Sequence, residues 1–272
     1  MPIIKEAKVG KAIVKVGTTA KGFAAVVNEG GQRKFYVEGD DPDRLWMQAH
    51  DAAVRLNPLF VGYDGARARF LSFFPQGFKG ADYLGHERAY KLDAKSKLDR
   101  AVPLEEALTG RGNGEAILSI YRATNLLFSI EKTRLQDLLR GPDSDDFVRS
   151  AATFAKGDYV QGLREMKSIL KRTDNAKWTV ATYLAFLWRP DANVFLKPTM
   201  IQNFAGRVGH RFADDYSSDL DFRVYESLLD LAAEVKAKIG DLEPQDMIDV
   251  QSFMWTSVEY TEADRADYES KE

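Results

Sequence analysis

The sequence predicts an α+β fold that is mostly α-helical: a small N-terminal antiparallel sheet with one helix, followed by a multi-helix body. Three observations carry this. Residues 12–16, 22–27 and 32–37 are short runs rich in Val, Ile, Phe and Tyr, and Asn28-Glu29-Gly30-Gly31 between the last two reads as a hairpin turn. From residue 42 onward apolar residues recur at helical spacing. Gly110-Arg111-Gly112-Asn113-Gly114 then interrupts the helical pattern as a loop by composition. The expected organisation is a β-hairpin/helix basic region over 1–109, a helical domain over 115–260 and an acidic, frayed tail over 261–272.

Taken in order, the first unit is ββ(β)α over residues 1–58. Asp41 is a helix N-cap, Pro42 suits the first helical position, and Leu45, Ala49, Ala52, Ala53 and Leu56 form the apolar stripe that Pro58 closes. Helices are expected over 64–74, stopped by Pro75 and Gly77, then over 82–101 and 103–108. After the glycine loop come 115–127 and 129–140, with a kink near 125–129, and a pair over 144–156 and 158–171 joined at Gly157. Residues 177–188 are apolar on most sides, which predicts a buried helix. A short extended piece over 194–196, helices over 199–208 and 222–239, and a last one from Pro244 to about Trp255 complete the chain.

Composition is ordinary for a globular protein, with 44% hydrophobic and 29% charged residues. There is no cysteine, hence no disulfide framework, thiolate metal site or cysteine nucleophile. The N-terminus lacks the apolar core of a secretory signal. Apolar stretches such as 180–188 fall well short of the roughly 20 residues of a membrane span. The expectation is a cytoplasmic protein with no membrane partner. The net charge of −3 is uneven: +5 over residues 1–100 and −8 over 101–272.

No nucleophile elbow, phosphate loop or dinucleotide fingerprint is present. The Gly110–Gly114 run has no strand before it to aim a phosphate cradle, and reads as a connector. His50, His86 and His210 are far apart and fit no zinc pattern. Acid-x-Lys triplets such as Glu6-x-Lys8, Asp93-x-Lys95, Glu165-x-Lys167 and Glu234-x-Lys236 occur about as often as composition alone allows. Asp215, Ser217, Asp219 and Glu226 match oxygen positions of a calcium loop, but Leu220 stands where its turn needs glycine. Helix capping explains the same residues. Residues 155–159 resemble the turn of a tetratricopeptide repeat without any recurrence, so a single αα-hairpin is expected. No cofactor, metal ligand or catalytic residue is assigned.

Two sets of residues remain as binding candidates. Lys15, Lys21, Arg33 and Lys34 crowd the expected hairpin, and Arg67, Arg69, Lys91 and Lys95 follow among aromatic residues; cations track a phosphate backbone and exposed rings stack on bases. Against that stands a solvated basic surface with Phe70, Phe73 and Phe74 in the core. At the C-terminal end, Phe195-Leu196-Lys197-Pro198 and Pro244-x-Asp246-x-Ile248-Asp249-Val250-Gln251-Ser252-Phe253-Met254-Trp255 resemble a pattern of uncharacterised bacterial proteins. The resemblance implies a bacterial origin and a helical C-terminal module, and it brings no activity or functional residue. From the residues themselves, either Trp255, Phe253 and Met247 pack the last helix, or Lys197, Gln251 and Trp255 line a ligand surface.

The leading expectation is a non-enzymatic binding or accessory protein with nucleic acid as partner. The alternatives are a metal-dependent nuclease-like hydrolase using carboxylates such as Asp93 or Glu165, and a scaffold that binds another protein through its acidic helical half.

Overall fold

The computed structural model describes residues 1–56 and 59–264. The chain forms two compact units: Met1–Ala66 with Gln202–Tyr216, and Arg67–Ile201 with the segment from Ser217 onward.

The first unit contains an antiparallel meander, β1 (Ile3–Val9), β2 (Ala12–Thr19), β3 (Gly22–Glu29) and β4 (Gln32–Gly39), in the order β1-β2-β3-β4. Each turn has two residues, set by the pairs Val9–Ala12, Thr19–Gly22 and Glu29–Gln32. Gly30 and Gly31 have φ of 57° and 77°. A two-residue turn with positive φ at both centres matches the twist of the strands and favours glycine. Ala12, Val14 and Val16 of β2 and Ala25 and Val27 of β3 point to one face, where Leu45, Ala49 and Ala53 of helix α1 (Pro42–Arg55) cover them. Asp41 caps α1, accepting from the amides of Asp43 (2.9 Å) and Arg44 (3.1 Å). The expected closing residue, Pro58, lies outside the described residues.

The sheet has four strands where a hairpin with a third strand is expected. The additional strand, β1, buries no side chain fully, so its sequence lacks the apolar alternation that marks β2 and β3. Residues 202–216 complete this unit: the Val61 amide donates to the Arg207 carbonyl at 2.9 Å, and the rings of Tyr63 and Phe204 meet edge to face at 6.4 Å.

Helices α2 (Gly62–Phe73) and α11 (Pro198–Val208) contribute residues to both units, and the short α12 (Phe212–Asp215) belongs to the first. The second unit holds α3 (Ala81–Tyr83), α4 (Ala89–Ala101), α5 (Leu104–Ala107), α6 (Gly114–Arg122), α7 (Ser129–Arg140), α8 (Ser144–Ala155), α9 (Tyr159–Arg172), α10 (Trp178–Trp188), α13 (Phe222–Lys238) and α14 (Met247–Val258). The α+β, mainly helical class follows.

All eleven residues of α10 are buried, and the helix packs against α4, α8 and α9. Its polar atoms are paired: Tyr183 donates to the Ile120 carbonyl (3.0 Å) and the Trp188 indole to the Val102 carbonyl (3.0 Å). Phe74, Phe78, Tyr83 and Phe253 surround Phe70, with ring centroids at 4.9–6.0 Å. The aromatic run after residue 60 is therefore core: Phe70, Phe73 and Phe74 are all buried.

Three departures from the sequence reading have local causes. The run expected as one helix over 82–101 contains a π-helical turn, Leu84–Arg88, between α3 and α4. Helix α6 ends at Arg122, and side chains satisfy the irregular backbone behind it: Glu131 accepts from the Phe128 amide (2.8 Å) and Lys132 donates to the Thr124 carbonyl (2.6 Å). Helix α14 starts at Met247, three residues after Pro244, because Asp246 is its cap, accepting from the Ile248 amide at 2.9 Å.

The glycine run at 110–114, expected as a boundary, lies inside the second unit. Gly114 is a packing residue: a Cβ there would sit 2.0 Å from the Leu139 carbonyl oxygen. Of the acidic tail expected over 261–272, residues 262–264 form a helical turn, and 265–272 lie outside the described residues.

Candidate functional site

The second unit buries an unusual amount of charge along α14. Asp249 is fully buried, and its Oδ1 accepts from Tyr83 (2.6 Å) and from Arg88 Nη1 (2.6 Å). Arg88 also grips Asp246 with both terminal nitrogens, at 2.9 and 2.7 Å. The second Asp249 oxygen accepts from the Gln245 amide at 2.8 Å. One turn further along α4, the buried Lys91 donates to Glu87 Oε2 (3.0 Å) and to Ser252 Oγ (2.8 Å). Charges this deep persist only when paired and hydrogen-bonded.

The titration behaviour follows from these contacts. Burial and the neighbouring Asp249 charge push the Tyr83 hydroxyl well above its ordinary value, so it stays a donor. For Lys91, burial opposes the charge, but the Glu87 carboxylate and the Tyr90 hydroxyl beside it together outweigh that and raise the ammonium above its ordinary value. Arg88 is likewise raised: burial opposes its charge, and the two aspartates outweigh burial.

Beside this network lies a cavity of about 480 Å³, lined among others by His86, Glu87, Tyr90, Lys91, Lys197, Gln251, Trp255 and Tyr260. The volume falls within the roughly 300–1,000 Å³ of small-ligand pockets. Residues from four stretches build it. The π-helical turn, an irregularity that often marks functional sites, carries His86 and Glu87. Gln251 and Trp255 stand four apart on α14 and so share a face. Lys197 precedes α11, with its Nζ 4.2 Å from the centre of the Trp255 ring. The loop 123–126 supplies a further wall, and the chain just after α14 adds Tyr260 and Asp264.

Lys197 is half-buried and forms no ion pair among the described residues. Burial, with the nearby Lys91 charge, holds its ammonium below the ordinary lysine value, against the opposing pull of Glu259. Gln251 is buried. Its Nε2 donates to the Phe195 carbonyl at 3.3 Å, and its Oε1 has no hydrogen-bond partner.

Of the residues singled out in the sequence, Lys197, Gln251 and Trp255 line this one cavity, and Lys91 joins them as a buried wall residue instead of a surface cation. The other cations of that unit are engaged. Arg67 pairs with Asp241. Arg69 donates to the Tyr260 carbonyl at 2.7 Å. Lys95 pairs with Asp99 at 2.7 Å and reaches the Trp188 carbonyl at 3.3 Å.

Lys15, Lys21, Arg33 and Lys34 belong to the sheet unit. Lys15 pairs with Glu6 across β1 and β2 at 3.2 Å. Lys21 stands exposed in the β2–β3 turn. Arg33 lies over the exposed Tyr36 ring at 5.1 Å. Lys34 donates to Gln32 at 3.0 Å.

Asp93 pairs with Lys97 at 2.6 Å, and Glu165 accepts from Gln161 at 3.0 Å. Among the described residues no group of three or more His, Asp or Glu side chains is arranged to hold a metal ion. Asp221 caps α13, accepting from the Arg223 amide at 2.9 Å. No described helix is long and apolar enough to cross a membrane.

Sequence reasoning missed Tyr83, Glu87, Tyr90 and Ser252. Glu87 and Lys91 at i and i+4 look like any solvated helix pair. Only the side chains of α14 opposite them make that pair internal.

No protein-family model matches the chain, and no curated protein or solved structure is significantly similar to it.

Proposed function

We propose that this is a binding protein whose helical unit holds a small anionic ligand bearing a flat ring. One observation carries the reading. Phe195–Pro198 and Pro244–Trp255, the two halves of the C-terminal pattern, meet at one cavity, and there they present a cation, an aromatic ring and a buried amide together. The pattern's other polar residues, Asp246, Asp249 and Ser252, hold Arg88 behind the wall and Lys91 within it. Paired internal charge of this kind fixes a wall's geometry at a cost in stability, as rigid binding sites require.

A titration with small aromatic carboxylates, sulfonates and phosphates, followed by indole fluorescence and calorimetry, tests this. Binding that is lost in Lys197→Ala and Trp255→Ala supports the reading. A panel containing no Lys197-dependent ligand overturns it.

A second reading rests on the sheet unit. Residues 1–39 carry seven Lys or Arg against three Glu, and Arg33 is stacked on exposed Tyr36. That balance favours a phosphate backbone as partner. Binding to single- and double-stranded DNA and RNA that weakens steeply with salt, and falls when Arg33 and Lys34 become Glu, supports it. Absence of binding at low salt overturns it.

A further inference from the structure

We infer that the ligand of the helical unit's cavity is a nucleoside monophosphate, with its phosphate on Lys197 and a base N–H on Gln251 Oε1. This rests on the reading of the cavity as an anion-and-ring site, and it names the ligand class from three requirements of the walls.

The first requirement is one anionic group. Of the two lysines lining the cavity, Lys91 is neutralised by Glu87 at 3.0 Å, whereas Lys197 has no carboxylate in salt-bridge contact among the described residues. The Lys197 ammonium is partly stripped of water and leans on the Trp255 face, 4.2 Å from its centre. One such cation matches one phosphate. A triphosphate would bring further negative charge beside Glu87 and Asp264, which also line the cavity.

The second requirement is a hydrogen-bond donor. Gln251 holds its Nε2 against the Phe195 carbonyl, which leaves Oε1 as a buried acceptor with no partner. An unmet buried acceptor costs roughly 1–3 kcal/mol; Oε1 is closed off from solvent, so a ligand N–H recovers that cost once the Gln251 amide turns toward the cavity. Amino or ring N–H groups of nucleobases supply that donor, and glutamine side chains read base edges in this way.

The third requirement is a flat body. Tyr90 and Trp255 are partly exposed rings in the wall, beside the His86 imidazole, and base-on-aromatic stacking is worth roughly 1–3 kcal/mol. An aromatic amino acid also joins an anion, a donor and a ring. Its ammonium, however, would sit beside its own carboxylate and hence close to Lys197, a like-charge contact that a nucleotide avoids.

The same chemistry comes from two sources, a free mononucleotide or one nucleotide of a strand, and the experiment separates them. The four ribonucleoside 5′-monophosphates, their nucleosides, inorganic phosphate, a single-stranded oligonucleotide, tryptophan and 2-naphthoate are titrated calorimetrically into the wild-type protein, Lys197→Gln and Gln251→Met. Far-ultraviolet circular dichroism checks that each variant is folded, and Gln251→Glu serves as second variant should Gln251→Met unfold.

The expected result is that at least one monophosphate binds, with its nucleoside and phosphate alone weaker by roughly 10- to 100-fold, the equivalent of one charge-assisted contact. Lys197→Gln should lose that factor for the monophosphate and leave the nucleoside unchanged. Binding of the oligonucleotide alone, lost in Lys197→Gln, would assign the strand as source. Lys197-dependent binding of naphthoate or tryptophan without any nucleotide would overturn the nucleotide assignment and leave the cavity reading standing. If nothing binds in a Lys197-dependent way, both fall.

Discussion

The two units treat charge in opposite ways. On the sheet, Glu6 and Lys15 form a cross-strand pair at 3.2 Å with 46% and 29% of their side chains exposed, and Arg33 rests on a solvent-facing ring. Along α14, Arg88 and Asp249 meet at 2.6 Å with 7% and 0% of their side chains exposed. The sheet could lose a charge and water would fill in. The network along α14 has no such reserve, because each of its carboxylates depends on a named partner. Charge in the first unit sets what the surface attracts; charge in the second sets the shape of a wall.

The largest effect should therefore come from removing one buried partner. Arg88→Met strands Asp249 and Asp246, and breaking a buried pair of this kind costs about 3–5 kcal/mol. Urea unfolding checks this. Replacing both partners, Arg88→Met with Asp249→Leu, should recover part of the loss, because the fully buried charge is then gone and only the partly exposed Asp246 is left without its arginine. If the double variant is no more stable than Arg88→Met alone, the network is not acting as a paired unit.

Next in size is Gly114→Ala. Its Cβ would meet the Leu139 carbonyl at 2.0 Å, so α6 and α7 would have to move apart, at roughly 1–3 kcal/mol as for other overpacked sites. An unchanged unfolding midpoint would show that α6 and α7 separate freely.

This glycine also shows what the sequence could and could not convey. Gly30-Gly31 was legible because a local rule, positive φ in a two-residue turn, demands glycine there. Gly114 sits in an equally glycine-rich run, and composition suggests a flexible linker. Its actual constraint comes from Leu139, which no local rule reveals. Helix α10 was legible as buried because it is apolar all round.

The candidate site was legible only in part. Lys197, Gln251 and Trp255 could be named from the C-terminal pattern, but their meeting with Glu87 and Lys91 depends on α14 lying against α4 and the π-helical turn. Helical periodicity says that α4 has a face to bury, not that the face carries a lysine. Phe70, Phe73 and Phe74 illustrate the converse: aromatic residues interleaved with arginine suit a base-stacking surface equally well on paper, and the rings are core.

The pH dependence of ligand binding probes the cavity more gently. Burial holds the Lys197 ammonium below the ordinary lysine value, so the positive charge is present at low pH and lost as pH rises through that lowered value. Affinity for an anion should decline as pH rises, and at lower pH than it would with an exposed lysine. Lys197→Arg, whose guanidinium does not titrate in this range, should show no such decline. A wild-type profile as flat as that of the arginine variant would mean that Lys197 does not carry the anion.

The smallest effect belongs to the sheet. Lys15→Ala removes a cross-strand partner of Glu6, but exposed pairs contribute about 0–1 kcal/mol, and salt screens them further. The unfolding free energy should move by less than about 1 kcal/mol, with the difference shrinking in 1 M salt. Measured beside Arg88→Met under the same conditions, it scales the contrast between the units. The surface pair should respond to salt and hardly to mutation. The buried pair should respond to mutation and hardly to salt, because its partners are beyond the reach of screening ions. A Lys15→Ala loss as large as that of Arg88→Met would mean that the sheet's charges hold its strands together, and would move them from recognition to architecture.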